Sequence, residues 1–170
     1  MSYGWTAYCV DEKSLCALFG HMTEAQCQQL RQHYHAPLQQ LTTSFAEPAE
    51  AALQHIADGQ LDDDISASLY WYVLELLADW HGERLANSEF YPAELMALAG
   101  IDGVSAYFIN HPWLDLPDDF PSVSICRHAR LEDAQRSVLA GELTPPQQQQ
   151  LLSWLTQAQH RQQDLLLFYY

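Results

Sequence analysis

The sequence predicts an α+β fold: a small sheet that includes the N- and C-terminal strands, covered by several helices. Three observations carry that reading. The chain opens on Tyr3-Gly-Trp-Thr-Ala-Tyr-Cys-Val10 and closes on Leu165-Leu-Leu-Phe-Tyr-Tyr170, two short apolar runs with the composition of strands. Between them, apolar residues recur mainly at three- and four-residue intervals, which is the helical period. The strongest such stretch, about 63–82, is apolar around most of its circumference and reads as a nearly engulfed central helix.

The elements follow in order. The first strand runs into Asp11, a helix cap for a short helix over Ser14 to Phe19 that Gly20 closes. Thr23 starts a second helix, about 23–34, with Cys27 and Leu30 inward, and Pro37 interrupts it. Pro48 opens a short helix filled by Ala51, Leu53 and Ile56 that stops near Gly59. The central helix then places Ile65, Leu69, Tyr72, Val73, Leu76, Leu77 and Trp80 on its apolar arc, and Gly82 ends it. Tyr91 to Leu98 gives another short helix, and Val104 to Ile109 a strand. His111 to Pro121 is a loop punctuated by prolines, followed by a short strand at Val123 to Cys126. Glu132 to Ala140 is helical. Thr144 caps a long helix entered through Pro145 and Pro146, with Leu151, Leu152, Leu155 and Ala158 inward.

At 170 residues the chain exceeds the roughly 150 that let one domain bury about 70% of its unfolded surface. No linker or repeat interrupts it, so residues 1–170 read as a single domain. Twenty-two acidic residues face seven basic ones, for a formal net charge of −15, and Lys13 is the one lysine. That balance argues against phosphate-backbone binding and against anionic lipid, since both need clustered cations. No apolar run reaches the roughly 20 residues of a membrane span, and the N-terminus lacks a signal-peptide pattern. The expectation is a soluble, cytoplasmic protein that contacts neither nucleic acid nor membrane, as a monomer or weak homodimer. Charge is uneven. Residues 1–120 hold eighteen acids and three bases, whereas 121–170 hold four of each. Such asymmetry can steer a basic partner, although solubility alone would also account for it.

Several anchors are similar to one family. They are Ser2-Tyr3…Ala7-Tyr8-Cys9-Val10-Asp11, Leu74-Glu75-Leu76-Leu77…Trp80-His81-Gly82-Glu83-Arg84-Leu85…Asn87, Pro117-Asp118-Asp119-Phe120-Pro121 and Trp154…Phe168-Tyr169-Tyr170. The chain resembles a family of small bacterial cytoplasmic proteins of unknown function. The resemblance implies a common fold over nearly the whole chain and supplies no catalytic residues. Proteins of this kind fit accessory or immunity roles.

Enzymatic patterns are missing. No GxSxG elbow, P-loop or GxGxxG is present. Cys9, Cys16, Cys27 and Cys126 have no CxxC spacing and read as reduced core thiols; Cys126 alone has cationic neighbours, Arg127 and His128. The eight histidines form no ligand array, so neither a metal nor a cofactor is expected. His81-Gly82-Glu83-Arg84 reads as helix-end chemistry, with Gly82 as cap and Arg84 paired to Glu83 or Asp79.

What remains is a set of acids with aromatics among them. Asp62, Asp63 and Asp64 precede the central helix, where one carboxylate suffices for capping and two are left over for a partner. Trp71, Glu75 and Asp79 share the helix's remaining narrow stripe, with like charges four residues apart. Trp113, Asp115, Asp118 and Asp119 crowd the proline loop. Aromatic anchors ringed by acids suit a basic protein surface. The favoured expectation is therefore a non-enzymatic acidic inhibitor, an immunity protein or antitoxin that neutralises a basic toxin. The alternative is a small-molecule-binding or regulatory domain with a pocket lined by Trp5, Tyr8, Trp71, Tyr72 and Tyr107.

Overall fold

The computed structural model describes residues 4–88, 100–104, 114–117 and 121–169. The backbone divides into two compact units. One comprises Met1–Glu12, Gly82–Val104 and Ser122–Tyr170; the other comprises Lys13–His81 and Ser105–Pro121. We call them the sheet unit and the helical unit.

In the sheet unit, short apolar runs rich in aromatic and branched side chains form the longer strands, buried along nearly their whole length. β1 (Trp5–Val10), β2 (Glu83–Arg84), β3 (Asp102–Gly103), β4 (Ser122–Cys126) and β5 (Asp164–Tyr169) form an antiparallel sheet in the order β2-β1-β5-β4-β3. The terminal strands lie side by side as the sequence predicts, with Trp5 opposite Tyr169 and Val10 opposite Asp164. β5 is the centre, because β4 pairs along its other edge from Ser122–Tyr169 to Cys126–Leu165. The two-residue strands β2 and β3 have too few residues to show a period of two.

Alternation puts Trp5, Ala7, Cys9, Cys126, Leu165 and Leu167 on one face. They pack in one core with Leu131, Ala134 and Val138 of α6 (Leu131–Ala140) and Leu151, Trp154, Leu155 and Ala158 of α7 (Pro145–Arg161). Trp154, which the predicted core face leaves out, is 1% exposed, and its indole N–H donates to the Ala86 carbonyl at 2.9 Å. α7 begins as predicted: Thr144 and Gln147 form a reciprocal capping box, and prolines occupy its first turn. Asp164 ties down the β5 start, accepting the Glu12 N–H at 2.9 Å and the His128 N–H at 2.8 Å.

The helical unit contains α2 (Glu24–His33), α3 (His35–Phe45), α4 (Ala49–Asp58) and α5 (Ala67–His81); the five-residue α1 (Glu12–Cys16) precedes them. Thr23 caps α2 through a box with Gln26, and Cys27 and Leu30 are buried. The helix predicted at about 23–34 ends at His33, ahead of Pro37, but the sequence reading places no helix after it. A second helix, α3, starts at His35, and Pro37 sits in its first turn, where backbone N–H groups have no intrahelical partner to lose. Gly59 closes α4 with φ +70°, and its backbone lies against Gly20 so closely that a Cβ there would be 2.9 Å from Gly20 Cα.

α5 begins at Ala67, later than the predicted 63. Ser66, not the aspartates, accepts from the first turn, through Leu69 N–H to its Oγ at 3.4 Å. Asp62–Asp64 instead make a turn ahead of the helix, closed by Asp64 N–H to Asp62 Oδ1 at 2.9 Å. α5 is engulfed as predicted, burying Leu69, Tyr70, Trp71, Val73, Leu74, Glu75, Leu77 and Ala78. His81-Gly82-Glu83-Arg84 differs from the sequence reading. After His81 the chain enters β2, Glu83 pairs with Arg161, and Asp79 accepts the Tyr34 hydroxyl at 2.7 Å. The predicted helix at 91–98, the strand residues 105–109, and Trp113, Asp118, Asp119 and Phe120 lie outside the described residues. Among the described residues, no helix is long and apolar enough to cross a membrane.

Candidate functional site

The site is built on the turn that precedes α5. Tyr70 reaches back from the first turn of that helix, and its oxygen accepts the Asp62 main-chain N–H at 2.8 Å. His55 of α4 approaches the same hydroxyl with Nδ1 at 2.8 Å. Glu47 Oε2 accepts the Ser66 N–H at 2.8 Å and fixes the far end of the turn. With its backbone held by Tyr70 at Asp62 and by Glu47 at Ser66, the turn leaves the Asp62, Asp63 and Asp64 side chains exposed.

A second segment meets it. The Trp71 indole N–H donates to the Asp115 carbonyl at 2.8 Å, which pins that main chain while the residue itself stays exposed. Leu61, Asp62, Asp63, Ile65, Ser66, Ala67, Tyr70, Leu114 and Asp115 line an open recess of about 550 Å³. Ile65, Tyr70 and Leu114 are buried and supply an apolar base, and Asp62, Asp63 and Asp115 supply the negative charge. The neighbouring Leu116 is 49% exposed. An apolar base under carboxylates suits a lysine or arginine, whose stem packs on hydrocarbon while its cation meets the acids.

Among the described residues of the recess, the Tyr70 hydroxyl is not activated as a nucleophile. Burial raises the Tyr70 hydroxyl above its ordinary range; the Asp62 amide bond lowers it and the charges of Asp62, Asp63 and Glu47 raise it. It therefore serves as a neutral hydrogen-bonding group at physiological pH. Burial likewise pushes the Cys9 thiol up to about 11 and the Cys126 thiol up to about 12. Cys126 is a buried strand residue, as its reading as a core thiol has it, and its cationic neighbours do not activate it. Arg127 makes two 2.7 Å bonds to Glu12, and the lowering effect of Arg130 is outweighed by burial and by Asp102. Among the described residues, no group of three or more His, Cys, Asp or Glu could hold a metal ion.

The structure thus brings together Asp62, Asp63 and Asp115, three of the residues singled out in the sequence, and keeps Asp64 on the same turn. It separates others. Trp71 is 0% exposed and Glu75 is buried, so neither is presented to a docking partner; Asp79 is half-buried on Tyr34. The stripe they form fails as a surface because α5 is covered on that side as well. For the aromatic pocket, Trp5 and Tyr8 alternate to opposite faces of β1, Trp71 is buried, and Tyr107 is outside the described residues. Sequence reasoning missed Tyr70 and His55 as organisers of the turn. Their spacing of fifteen residues across two helices leaves no local signal.

Comparison with curated proteins and with solved structures finds no match. The profile of one family covers residues 1–170, and with that match the chain belongs to the family described as a domain of unknown function (DUF7691).

Proposed function

We propose that this protein is a non-enzymatic, acidic inhibitor of the immunity-protein or antitoxin kind, which neutralises a basic toxin by direct binding in the cytoplasm. One observation carries the reading: Asp62, Asp63 and Asp115 converge on one open recess although about fifty residues separate them. Among the described residues, none of the three is in an ion pair. The helical unit holds twelve acidic side chains against Lys13 and Arg31. A cluster of uncompensated acids costs self-repulsion and speeds capture of a cationic partner. Toxins that act on nucleic acids or nucleotides present positive clefts, which such a surface would occlude.

The test has two stages. The protein retained by this chain at low salt and released at high salt is identified, then produced in cells alone and together with the chain. The proposal expects a basic protein that is toxic alone and harmless with the chain. The triple variant Asp62→Lys, Asp63→Lys, Asp115→Lys, shown to be folded by circular dichroism, should fail to protect. A partner that is harmless by itself, or full protection by the triple variant, overturns the proposal.

A further inference from the structure

We propose that the Tyr70 hydroxyl couples the protonation of His55 to the seating of the Asp62–Asp64 turn, so that pH adjusts the acidic recess through a hydrogen-bond relay. Tyr70 is 2% exposed, and its oxygen has two close partners: the Asp62 N–H and His55 Nδ1, each at 2.8 Å. The Asp62 carbonyl lies farther away, at 3.5 Å. A phenol has one proton to donate and two lone pairs to accept with. When Nδ1 is bare, the phenol proton goes to it at 2.8 Å rather than to the carbonyl at 3.5 Å. The relay takes neutral His55 as the tautomer protonated on Nε2, whose bare Nδ1 accepts the phenol proton at 2.8 Å.

Protonation places a hydrogen on Nδ1 and turns that nitrogen into a donor. The phenol oxygen then takes both N–H groups, and its own proton turns to the Asp62 carbonyl. An O–H···O bond settles at about 2.7–2.8 Å, so the contact now at 3.5 Å shortens and the turn is drawn toward Tyr70. The direction is fixed: the turn is drawn in as pH falls and relaxes as pH rises.

The charged groups around the relay are Asp62 and Asp63 from the turn and Glu47 from the connection between α3 and α4, all of which act on Tyr70. Asp58 lies on α4 itself, three residues beyond His55, and α5 contributes Tyr70. The consequence for partner binding rests on the recess reading above, whereas the relay itself does not.

An NMR pH titration of the full chain without any partner tests the relay. The expected result has three parts. At high pH the His55 ring nitrogens show a bare Nδ1 and a protonated Nε2. The Asp62 amide resonance moves with the same midpoint as the His55 ring. In Tyr70→Phe the Asp62 amide no longer follows the His55 ring; in His55→Gln, which keeps the phenol, the transition that Asp62 shares with the ring disappears. Neutral His55 protonated on Nδ1, an Asp62 amide that stays flat through the ring transition, or one that still follows it in Tyr70→Phe overturns the proposal. Because no partner is present, these outcomes are independent of whether a basic protein docks in the recess.

Discussion

The two units treat charge in opposite ways. In the sheet unit, Arg127 pairs with Glu12, Arg130 and Arg136 pair with Asp133, and Arg161 pairs with Glu83. These pairs are largely solvent-exposed and worth about 0–1 kcal/mol each, so they balance charge more than they stabilise. The helical unit has two cations for twelve acids. Arg31 and Glu24 lie 3.8 Å apart there, while Asp62, Asp63 and Asp115 gather at one recess. Its stability comes instead from burying α5, through Leu69, Trp71, Val73 and Leu77 among others. The difference teaches that the acids of the helical unit divide in two: Glu47, Glu75 and Asp79 are built into the fold, whereas Asp63 and Asp115 are exposed carboxylates at the recess.

That contrast can be broken most forcefully at β5. Leu165 to Phe168 are each at most 1% exposed, and β5 pairs along both edges. Deleting 165–170 removes four buried side chains worth roughly 1.5–3 kcal/mol each, comparable to a typical total stability of about 5–15 kcal/mol. The truncated chain should show no cooperative thermal transition by near-UV circular dichroism. Next is Trp71→Ala, expected to cost about 3–5 kcal/mol in urea unfolding, as for a core tryptophan. A cost below about 0.5 kcal/mol, the surface value, would return Trp71 to the interface and undo the distinction between core and acid surface.

Gly59→Ala sharpens the comparison inside the helical unit. The left-handed φ of +70° and the 2.9 Å approach to Gly20 Cα both oppose a side chain, and a loss of about 1–3 kcal/mol is expected. In the sheet unit, Thr144→Ala should cost about 1 kcal/mol by removing the α7 cap. The buried thiols add a pH dependence. Their folded values, about 11 for Cys9 and about 12 for Cys126, lie above the ordinary 9.0. The contribution is therefore complete below about pH 9, where unfolded thiols begin to ionise, and is lost as pH rises toward 11 and 12. Alkaline titration of unfolding free energy should show that decline. The smallest stability effect belongs to Asp63→Lys and Asp115→Lys, within about 0.5 kcal/mol for exposed residues.

Much of this was legible in the sequence, for physical reasons that also set the limits. The strands at 5–10 and 164–169 and the caps at Thr23 and Thr144 are local signals, and local signals survive into the fold. The end of α2 before Pro37 was legible, but α3 was not, because a proline that follows one helix and a proline in the first turn of the next look alike in sequence. The α5 start was misplaced because three aspartates resemble a cap, while the group that accepts from the first turn is the plainer Ser66. An all-round apolar helix does not disclose which narrow stripe is covered, so Trp71 and Glu75 were read as surface. Asp62, Asp63 and Asp115 were each visible as acids, but their convergence is a tertiary fact made by Tyr70 and by the Trp71 bond to Asp115.

The central claim is that the recess acids capture a basic partner. The most direct measurement is the association rate constant with the purified basic partner, recorded by stopped flow from low to physiological ionic strength. For the parent chain the account predicts fast association that falls steeply with salt, as electrostatic steering requires. For Asp62→Lys, Asp63→Lys, Asp115→Lys it predicts association slower by about 10- to 100-fold at low salt, with a flattened salt dependence and an unchanged unfolding midpoint. Equal rates and equal salt slopes for the folded triple variant and the parent would contradict it.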